Sequence, residues 1–152
     1  MQVKEIMSCS VRTVEPETKL VEVASLMCLY RYSGLPVVKD GKLVGIIAEK
    51  DVLHRLFPKL EDLMEGWAAI DLDQMMGEYK DVLSLKVSDL MSPSVITVPP
   101  DMHILRAATV MVRHKFRRIP VAEGDTLVGM LSLGDVHKAI FHANISGNLT
   151  AG

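Results

Sequence analysis

Residues 126–136 read TLVGMLSLGDV, and this stretch decides the fold. Its apolar run, residues 127–131, is typical of a buried strand. A helical pattern begins after Ser132 and places Asp135 in its first turn. A strand that leads directly into a helix brings a serine and an aspartate beside the unpaired backbone N–H groups of the helix N-terminus. Such a joint suits a ligand that carries hydroxyl and phosphate groups.

The same joint occurs a second time, 84 positions earlier in the chain. Gly45 then aligns with Gly129, and Asp51 aligns with Asp135. The same offset superposes a methionine, two prolines and a phenylalanine: Met7 on Met91, Pro16 on Pro100, Pro36 on Pro120 and Phe57 on Phe141. Because one register holds without a gap over this length, the chain contains an internal duplication.

Each repeat has the pattern strand–helix–strand–strand–helix, which predicts an α/β (α+β) fold. The opening strands are predicted at 11–14 and 95–98, and the closing helices near 50–56 and 134–143. The two hairpins are predicted at 35–38 with 42–47, and at 119–122 with 126–131, around turns that contain Asp-Gly and Gly-Asp.

The first helix of each repeat carries an apolar stripe at helical spacing. We expect Thr18 and Asp101 to be the N-caps of these two helices. The stripes consist of Leu20, Val23, Ala24 and Met27 in the first repeat and of Ile104, Ala107, Ala108, Met111 and Val112 in the second.

These motifs resemble a tandem pair of CBS domains (cystathionine β-synthase domains), a Bateman module. The resemblance rests on the strands Leu35-Pro36-Val37-Val38 and Ile119-Pro120-Val121, and on two joints that read GIIAEKD from Gly45 and GMLSLGD from Gly129. It implies that the two repeats pack about a pseudo-two-fold axis. It also implies a homodimer, and clefts that bind adenosine-containing ligands such as AMP, ADP, ATP, NAD or S-adenosylmethionine.

The predicted domains are repeat 1 at residues 1–57, an insert at 58–85, repeat 2 at 86–143 and a tail at 144–152. The insert is acidic, with seven carboxylates against two lysines. Apolar residues at helical spacing predict one helix over 60–70 and a second over 72–79. The insert is either a connector that covers one edge of the module or a lid and partner surface, with Trp67, Met75 and Met76 as adaptable contacts.

The resemblance assigns the ligand-binding residues to two composite clefts. One cleft would use Ser132 and Asp135 together with Cys9, Ser10, Val11, Tyr32, Ser33, Gly34 and Leu35. The other would use Asp51 together with Ser94, Val95, Phe116, Arg117, Arg118 and Ile119. Asp51 and Asp135 would bind the ribose hydroxyls, since a carboxylate accepts two hydrogen bonds. Ala48 departs from the family pattern, which has serine or threonine there, so we expect unequal occupancy of the two clefts.

Both aspartates have a structural alternative, because a carboxylate in the first turn of a helix also stabilises that helix. The basic run 114–118 is a solvated edge, a phosphate contact or a weak RNA patch. The net charge of −2 argues against nucleic acid as a bulk electrostatic partner. The five histidines show no metal-ligand spacing, and no nucleophile–base pair or phosphate loop indicates an enzyme.

The leading hypothesis is a regulatory module that senses an adenosyl ligand and signals to an effector protein in trans. A structural association module with vestigial clefts is the alternative, which the Ala48 departure motivates. The amino terminus lacks the apolar core of a signal peptide, and no apolar run is long enough for a membrane helix, so we expect a cytoplasmic protein.

Overall fold

The computed structural model describes residues 1–53 and 72–151, and in this part the chain has six helices and four strands. The helices are α1 (Leu20–Tyr30), α2 (Glu49–Leu53), α3 (Leu72–Val82), α4 (Val87–Leu90), α5 (Ile104–His114) and α6 (Leu133–Ala151). The strands are β1 (Gly34–Lys39), β2 (Lys42–Ala48), β3 (Arg118–Glu123) and β4 (Thr126–Ser132). This content confirms the predicted α/β class.

The described chain divides into two compact units, each built from separate segments. The terminal unit consists of Met1–Val11, Gly41–Leu43 and Ile96–Gly152. The central unit consists of Arg12–Asp40 and Val44–Val95. Each unit therefore takes the first residues of one sequence repeat and most of the other repeat.

Each unit has its own hydrophobic core. The first helix of each repeat supplies buried side chains at helical spacing: Leu20, Val23 and Met27 in the central unit, and Ile104, Ala107 and Met111 in the terminal unit. Burying a valine, leucine, isoleucine or methionine side chain stabilises the fold by roughly 1.5–3 kcal/mol. Strand residues complete each core, among them Leu35, Val37 and Ile47 in one and Ile119, Val121 and Leu131 in the other.

The segments that cross into the other repeat also contribute to these cores. Val3 lies in a short 3-10 turn (Val3–Glu5) and is fully buried in the terminal unit. Val87, in α4, is fully buried in the central unit. The chain then passes beside a strand in each unit: Ser8 exchanges two backbone hydrogen bonds of 2.9 Å with Met130, and Ser92 exchanges two of 2.9 Å with Ile46.

The paired glycines of the repeat lie where these segments cross. A Cβ atom on Gly129 would lie 2.6 Å from the Met7 sulfur and 2.9 Å from the Ser8 carbonyl oxygen. A Cβ atom on Gly45 would meet Met91 and Ser92 in the same way, at 2.8 and 2.9 Å. Only glycine permits this approach, so the duplicated glycines are required by packing.

Both predicted hairpins are confirmed, with strand ends that differ from the prediction by one residue. β1 and β2 are hydrogen-bonded neighbours, and Asp40 and Gly41 in their turn both have positive φ, as a type I′ turn requires. In the turn between β3 and β4 only Gly124 has positive φ, which fits a type II′ turn. At the start of β2, Lys42 pairs antiparallel with Thr126.

Both predicted N-caps are wrong. α1 begins after Lys19, because the Thr18 hydroxyl accepts a hydrogen bond from the Glu15 N–H instead. α5 begins after His103, whose ring nitrogen accepts from the Leu105 N–H. In both helices the residue that the sequence favoured as a cap lies in the preceding turn.

The predicted opening strands are also wrong, because each is reduced to a single bridging valine. Val14 bridges Val37 and Val98 bridges Val121, both in the parallel sense. Prolines follow closely in both segments, and a proline cannot donate a ladder hydrogen bond. The core prediction fails at Val112, which is 64% exposed.

In the insert, the predicted second helix is confirmed as α3, whereas the first lies outside the described residues. No helix in the described ranges is both long enough and apolar enough to cross a membrane.

Candidate functional site

The joint in the terminal unit is held by two reciprocal hydrogen bonds. The Asp135 backbone N–H donates to the Ser132 hydroxyl oxygen at 3.0 Å. The Ser132 backbone N–H donates to Oδ2 of Asp135 at 3.2 Å. This is a capping box, and it fixes both side chains at the start of α6. The structural role expected of Asp135 is therefore present.

The capping box leaves part of both side chains available to a ligand. The Ser132 hydroxyl uses its oxygen as an acceptor, so its hydrogen can still donate. Oδ1 of Asp135 has no partner among the residues that the structure describes, and both residues are half-buried. The joint thus offers one donor and one anionic acceptor, side by side, in addition to its structural role.

Two other predicted segments lie beside this joint within the terminal unit. The Leu133 N–H donates to the Arg117 carbonyl oxygen at 2.9 Å, and Arg118 pairs with Ser132 in the β3–β4 register. On the other side of β4, Ser8 pairs with Met130 and leads into Cys9, Ser10 and Val11. Cys9, Ser10, Arg117 and Arg118 are exposed, and Val11 is half-buried.

The joint in the central unit has the same backbone geometry and one functional group fewer. The Ala48 N–H donates to Oδ2 of Asp51 at 2.7 Å, so the aspartate caps α2 as Asp135 caps α6. Alanine has no hydroxyl, so the reciprocal bond to the Asp51 N–H is missing. This joint therefore offers a carboxylate acceptor without a neighbouring side-chain donor.

The surroundings of the central joint repeat those of the terminal joint. The Glu49 N–H donates to the Ser33 carbonyl oxygen at 3.0 Å, which places residues 32–35 beside Ala48. A Cβ atom on Gly34 would lie 3.8 Å from the Ala48 Cβ. The bridge between Ile46 and Ser92 leads into Ser94 and Val95.

The comparisons with known proteins agree with this duplicated joint. The family model for the CBS domain matches residues 3–58 and again residues 87–142. The chain belongs to the CBS domain family. Among its relatives is the uncharacterized protein MJ1426 of Methanocaldococcus jannaschii, 35% identical over 92% of this chain and 91% of that protein. The CBS domain-containing protein YhcV of Bacillus subtilis is 30% identical over 88% of this chain and 81% of that protein.

A solved CBS structure of similar fold contains a nucleotide. The crystal structure of CBSX2 in complex with AMP superposes with a TM-score of 0.71 and 27% sequence identity. The match covers 94% of this chain and 98% of that chain. The ligand is a property of CBSX2, and it indicates the chemistry to test here.

In this CBS pair, each predicted cleft combines residues of both units. Within the terminal unit, the structure places Arg117 and Arg118 beside the Ser132 joint, and it places Ser8, which leads into residues 9–11, beside Met130. Within the central unit, it places Ser33 beside Glu49, and Ser92, which leads into Ser94 and Val95, beside Ile46. The assignment of residues 32–35 to the cleft of Asp135, and of residues 116–119 to that of Asp51, stays a prediction. The hairpin register would have revealed the neighbours that lie on the partner strand of each joint, because a two-residue turn fixes which residues face each other, but not the crossing segments 9–11 and 94–95.

An aromatic cluster that was not predicted from the sequence lies beside residues 32–35. The Arg12 guanidinium lies over the Tyr30 ring, 4.8 Å from its centroid, and the Tyr30 and Tyr32 centroids are 5.9 Å apart. The equivalent pair in the other repeat, His114 and Phe116, is stacked at 5.3 Å. The sequence contained a signal for this cluster, because the repeat aligns Tyr30 with His114 and Tyr32 with Phe116, so that ring-bearing side chains recur at both positions.

Proposed function

We propose that this chain is a regulatory CBS module that binds an adenosine-containing compound and signals its occupancy to another protein. AMP, ADP, ATP, NAD and S-adenosylmethionine are the candidate ligands. The carrying observation is the Ser132–Asp135 joint, whose side chains are fixed by capping and still offer a donor and an anionic acceptor. The AMP complex of CBSX2 supports adenosine as the common part of the ligand.

The chemistry of the joint suits a nucleoside. The available oxygen of Asp135 can accept a hydrogen bond from a ribose hydroxyl, and hydrogen bonds to a charged acceptor are stronger than neutral ones. The Ser132 hydroxyl can donate to a ribose or phosphate oxygen. In the cleft predicted for Asp51, the exposed guanidinium groups of Arg117 and Arg118 can hold phosphate, since arginine binds it with two parallel hydrogen bonds.

Ala48 supports unequal binding at the two joints. Asp51 keeps the carboxylate that would accept from ribose, whereas the hydroxyl donor is absent. A buried hydrogen bond that is lost in this way costs roughly 1–3 kcal/mol. We therefore expect the joint of Asp135 to contribute more binding energy than the joint of Asp51.

Assembly and signalling are part of the same proposal. Several apolar side chains on α1 and α5 are exposed, among them Val21, Leu29, Leu105 and Val112, and a homodimer would cover them. The effector is a separate protein in trans, and the module performs no catalysis. A cytoplasmic location remains the expectation.

Thermal unfolding with each candidate ligand tests the binding proposal. A ligand present at 100 times its Kd adds about 2.7 kcal/mol of stability, which raises the Tm of a chain of this size by about 5–11 °C. We expect this shift for at least one compound. The double variant Asp51→Asn, Asp135→Asn should lose it, because the amides can keep the backbone caps but lack the anionic acceptor.

Asp89→Asn is the matched control. Asp89 also caps a helix, with its Oδ2 accepting from the Lys86 N–H at 2.9 Å, but it lies outside the predicted binding residues. This variant should retain the full ligand shift. An undiminished shift in the double variant would refute the assignment of the two aspartates.

A structural association module is the second candidate, and the missing hydroxyl at Ala48 favours it. In that case the protein would form a folded dimer, and millimolar concentrations of all the candidate ligands would leave its Tm unchanged.

A further inference from the structure

The rings of Tyr30 and Tyr32 come together at the end of α1, because the residue between them turns the chain. Arg31 has a φ of 57°, in the left-handed region, and the helix ends there. The two ring centroids are 5.9 Å apart, with an angle of 31° between the ring planes. Aromatic rings at such a separation attract each other. Tyr32, a predicted binding residue, therefore has the Tyr30 ring as a fixed neighbour.

A guanidinium group extends this ring pair. The Arg12 guanidinium lies over the Tyr30 ring, 4.8 Å from its centroid, which is within the range of a cation–π contact. Within residues 1–53 and 73–145, no carboxylate forms an ion pair with Arg12, so the Tyr30 ring is the contact that orients this guanidinium there. Arg12 also directly follows the predicted binding residues 9–11 in the chain.

The exposure of these three side chains increases outward from the core of the central unit, to which all three belong. Tyr32 is half-buried and packs against that core. Tyr30 is 53% exposed, and Arg12 is exposed. An exposed side chain exchanges between rotamers rapidly unless a contact restrains it, and Arg12 supplies that contact for the Tyr30 ring. We name Arg12 and Tyr30 together the Tyr32 clamp.

The ring pair recurs in the other repeat, but the cation does not. The centroids of His114 and Phe116 are 5.3 Å apart, at the positions equivalent to the two tyrosines. The position equivalent to Arg12 is occupied by Ile96, which has no charge. In the part of the chain that the structure describes, the contact of Arg12 is the one cation–π contact. The two repeats thus share a ring pair and differ in the clamp.

We propose that Arg12 and Tyr30 are positioning residues of the ligand site, which hold the Tyr32 ring in its binding orientation before the ligand arrives. This inference rests on the proposed function, and it adds two residues that lie outside the predicted binding set. The apparent Kd of a site equals its intrinsic Kd divided by the fraction of the protein in the binding-competent form. The clamp raises that fraction for residues 32–35, so it tightens the cleft predicted for Asp135.

Calorimetric titration of AMP into Arg12→Leu tests the clamp. An exposed cation–π contact changes an equilibrium about two- to fivefold, so the Kd of the tighter binding event should rise by that factor. Arg12→Lys should retain the wild-type Kd, since an ammonium group also binds the face of a ring. The matched control is Arg106→Leu, which removes an exposed arginine from α5 and should leave the Kd of both events unchanged.

Substitution of Tyr30 tests the same clamp from its other member. Tyr30→Leu should raise the Kd of the same event, because Tyr32 loses its neighbouring ring, whereas Tyr30→Phe keeps a ring and should retain the affinity. The double variant Arg12→Leu, Tyr30→Leu should bind AMP no more weakly than Tyr30→Leu alone, since Arg12 acts through that ring. Additive losses in the double variant would overturn the clamp.

Titration with adenosine separates positioning from a direct contact with phosphate. The clamp acts through Tyr32, so Arg12→Leu should weaken the binding of adenosine and of AMP by the same factor. A loss confined to AMP would overturn the clamp and make Arg12 a phosphate contact.

Two further results would overturn the clamp, and they differ in what they say about the proposed function. If wild type and Arg12→Leu bind AMP with the same Kd, the clamp is wrong and the binding function stands. A lower Tm of unliganded Arg12→Leu would in that case restrict Arg12 to a structural role. If the folded wild-type protein binds neither AMP nor adenosine, the clamp fails together with the proposed binding of AMP.

Discussion

The two joints differ at the residue that caps the helix, which is Ala48 in one and Ser132 in the other, and the comparison separates structure from binding. Both aspartates accept a hydrogen bond from the backbone N–H three residues earlier, at 2.7 Å for Asp51 and 3.2 Å for Asp135. In both joints the first residue of the helix donates its backbone N–H to a carbonyl oxygen of the segment before the hairpin, Glu49 to Ser33 and Leu133 to Arg117. Only Ser132 adds a hydroxyl, which caps the Asp135 N–H. The duplicated aspartate is therefore sufficient to start a helix, and the serine marks the joint that is better equipped for a ligand.

The largest effect on stability is expected where the two units are most alike. Gly129→Ala and Gly45→Ala should each lower the free energy of unfolding by about 1–3 kcal/mol, because the added Cβ overlaps a methionine and a carbonyl oxygen. Denaturant unfolding monitored by circular dichroism measures the change.

Gly77→Ala is the control for these glycines, because nothing lies within 4 Å of its added Cβ. It should stabilise the protein by about 0.5–1 kcal/mol, since alanine favours a helix interior. Adding Met7→Ala to Gly129→Ala should recover only part of the loss, because the Ser8 carbonyl oxygen remains 2.9 Å from the new atom. Full stability in Gly129→Ala would contradict the close approach.

The next effect concerns the capping residue, which is Ala48 in one joint and Ser132 in the other. Ser132→Ala should cost about 0.5–2 kcal/mol of stability, because the Asp135 N–H loses its acceptor. Ala48→Ser should make the central joint like the terminal one and stabilise α2 by a similar amount. Thermal unfolding of each single variant, and of the double variant Ala48→Ser, Ser132→Ala, measures these changes in stability.

The Ala48→Ser variant also tests whether the serine hydroxyl contributes to ligand binding. If the hydroxyl contributes to binding, Ala48→Ser should tighten the weaker binding event. A serine at position 48 that raises stability without changing ligand affinity would restrict the hydroxyl to its capping role.

The smallest effect is expected at a surface pair that only one repeat has. The Lys39 ammonium donates to the Glu17 carboxylate at 2.9 Å, which lowers the pKa of Glu17 and raises the pKa of Lys39. The equivalent positions in the other repeat, Asp101 and Glu123, are both acidic. Both members of the pair are exposed, and solvent screens such interactions.

The contribution of this pair to stability depends on pH, because the pKa of Glu17 is lowered and the pKa of Lys39 is raised in the folded state. The Glu17 contribution is present above the ordinary glutamate pKa and is lost as pH falls through the lowered pKa of the folded state. The Lys39 contribution is present below the ordinary lysine pKa and is lost as pH rises through the raised value. Lys39→Met should therefore lower the Tm slightly at neutral pH and leave it unchanged in acid, with Lys42→Met as control. A larger effect in acid would contradict this assignment.

The hairpins were predictable from the sequence because two-residue turns containing Asp-Gly and Gly-Asp fix the register of the strands they join. The buried positions of α1 and α5 were predictable from helical spacing, apart from Val112. The opening strands were not, because a single parallel bridge at Val14 or Val98 leaves the same local pattern as a longer strand.

The neighbours of each joint depend on contacts between segments that are far apart in the chain. Residues 1–11 contribute to the core formed by the second repeat, and Val87 contributes to that of the first. Periodicity describes one segment at a time, so it could identify Asp51 and Asp135 but not the segments beside them. Helix α5 shows the same limit, since Val112 has the spacing of a core residue and lies on the surface.

Calorimetric titration of AMP into the wild-type protein, Asp135→Asn and Asp51→Asn tests the central claim most directly. We expect two binding events of unequal affinity in the wild-type protein. Asp135→Asn should remove the tighter event, and Asp51→Asn the weaker one, while Asp89→Asn should keep both. Binding that is unchanged in both aspartate variants, or absent for AMP and for every other candidate ligand in the folded wild-type protein, would contradict the account.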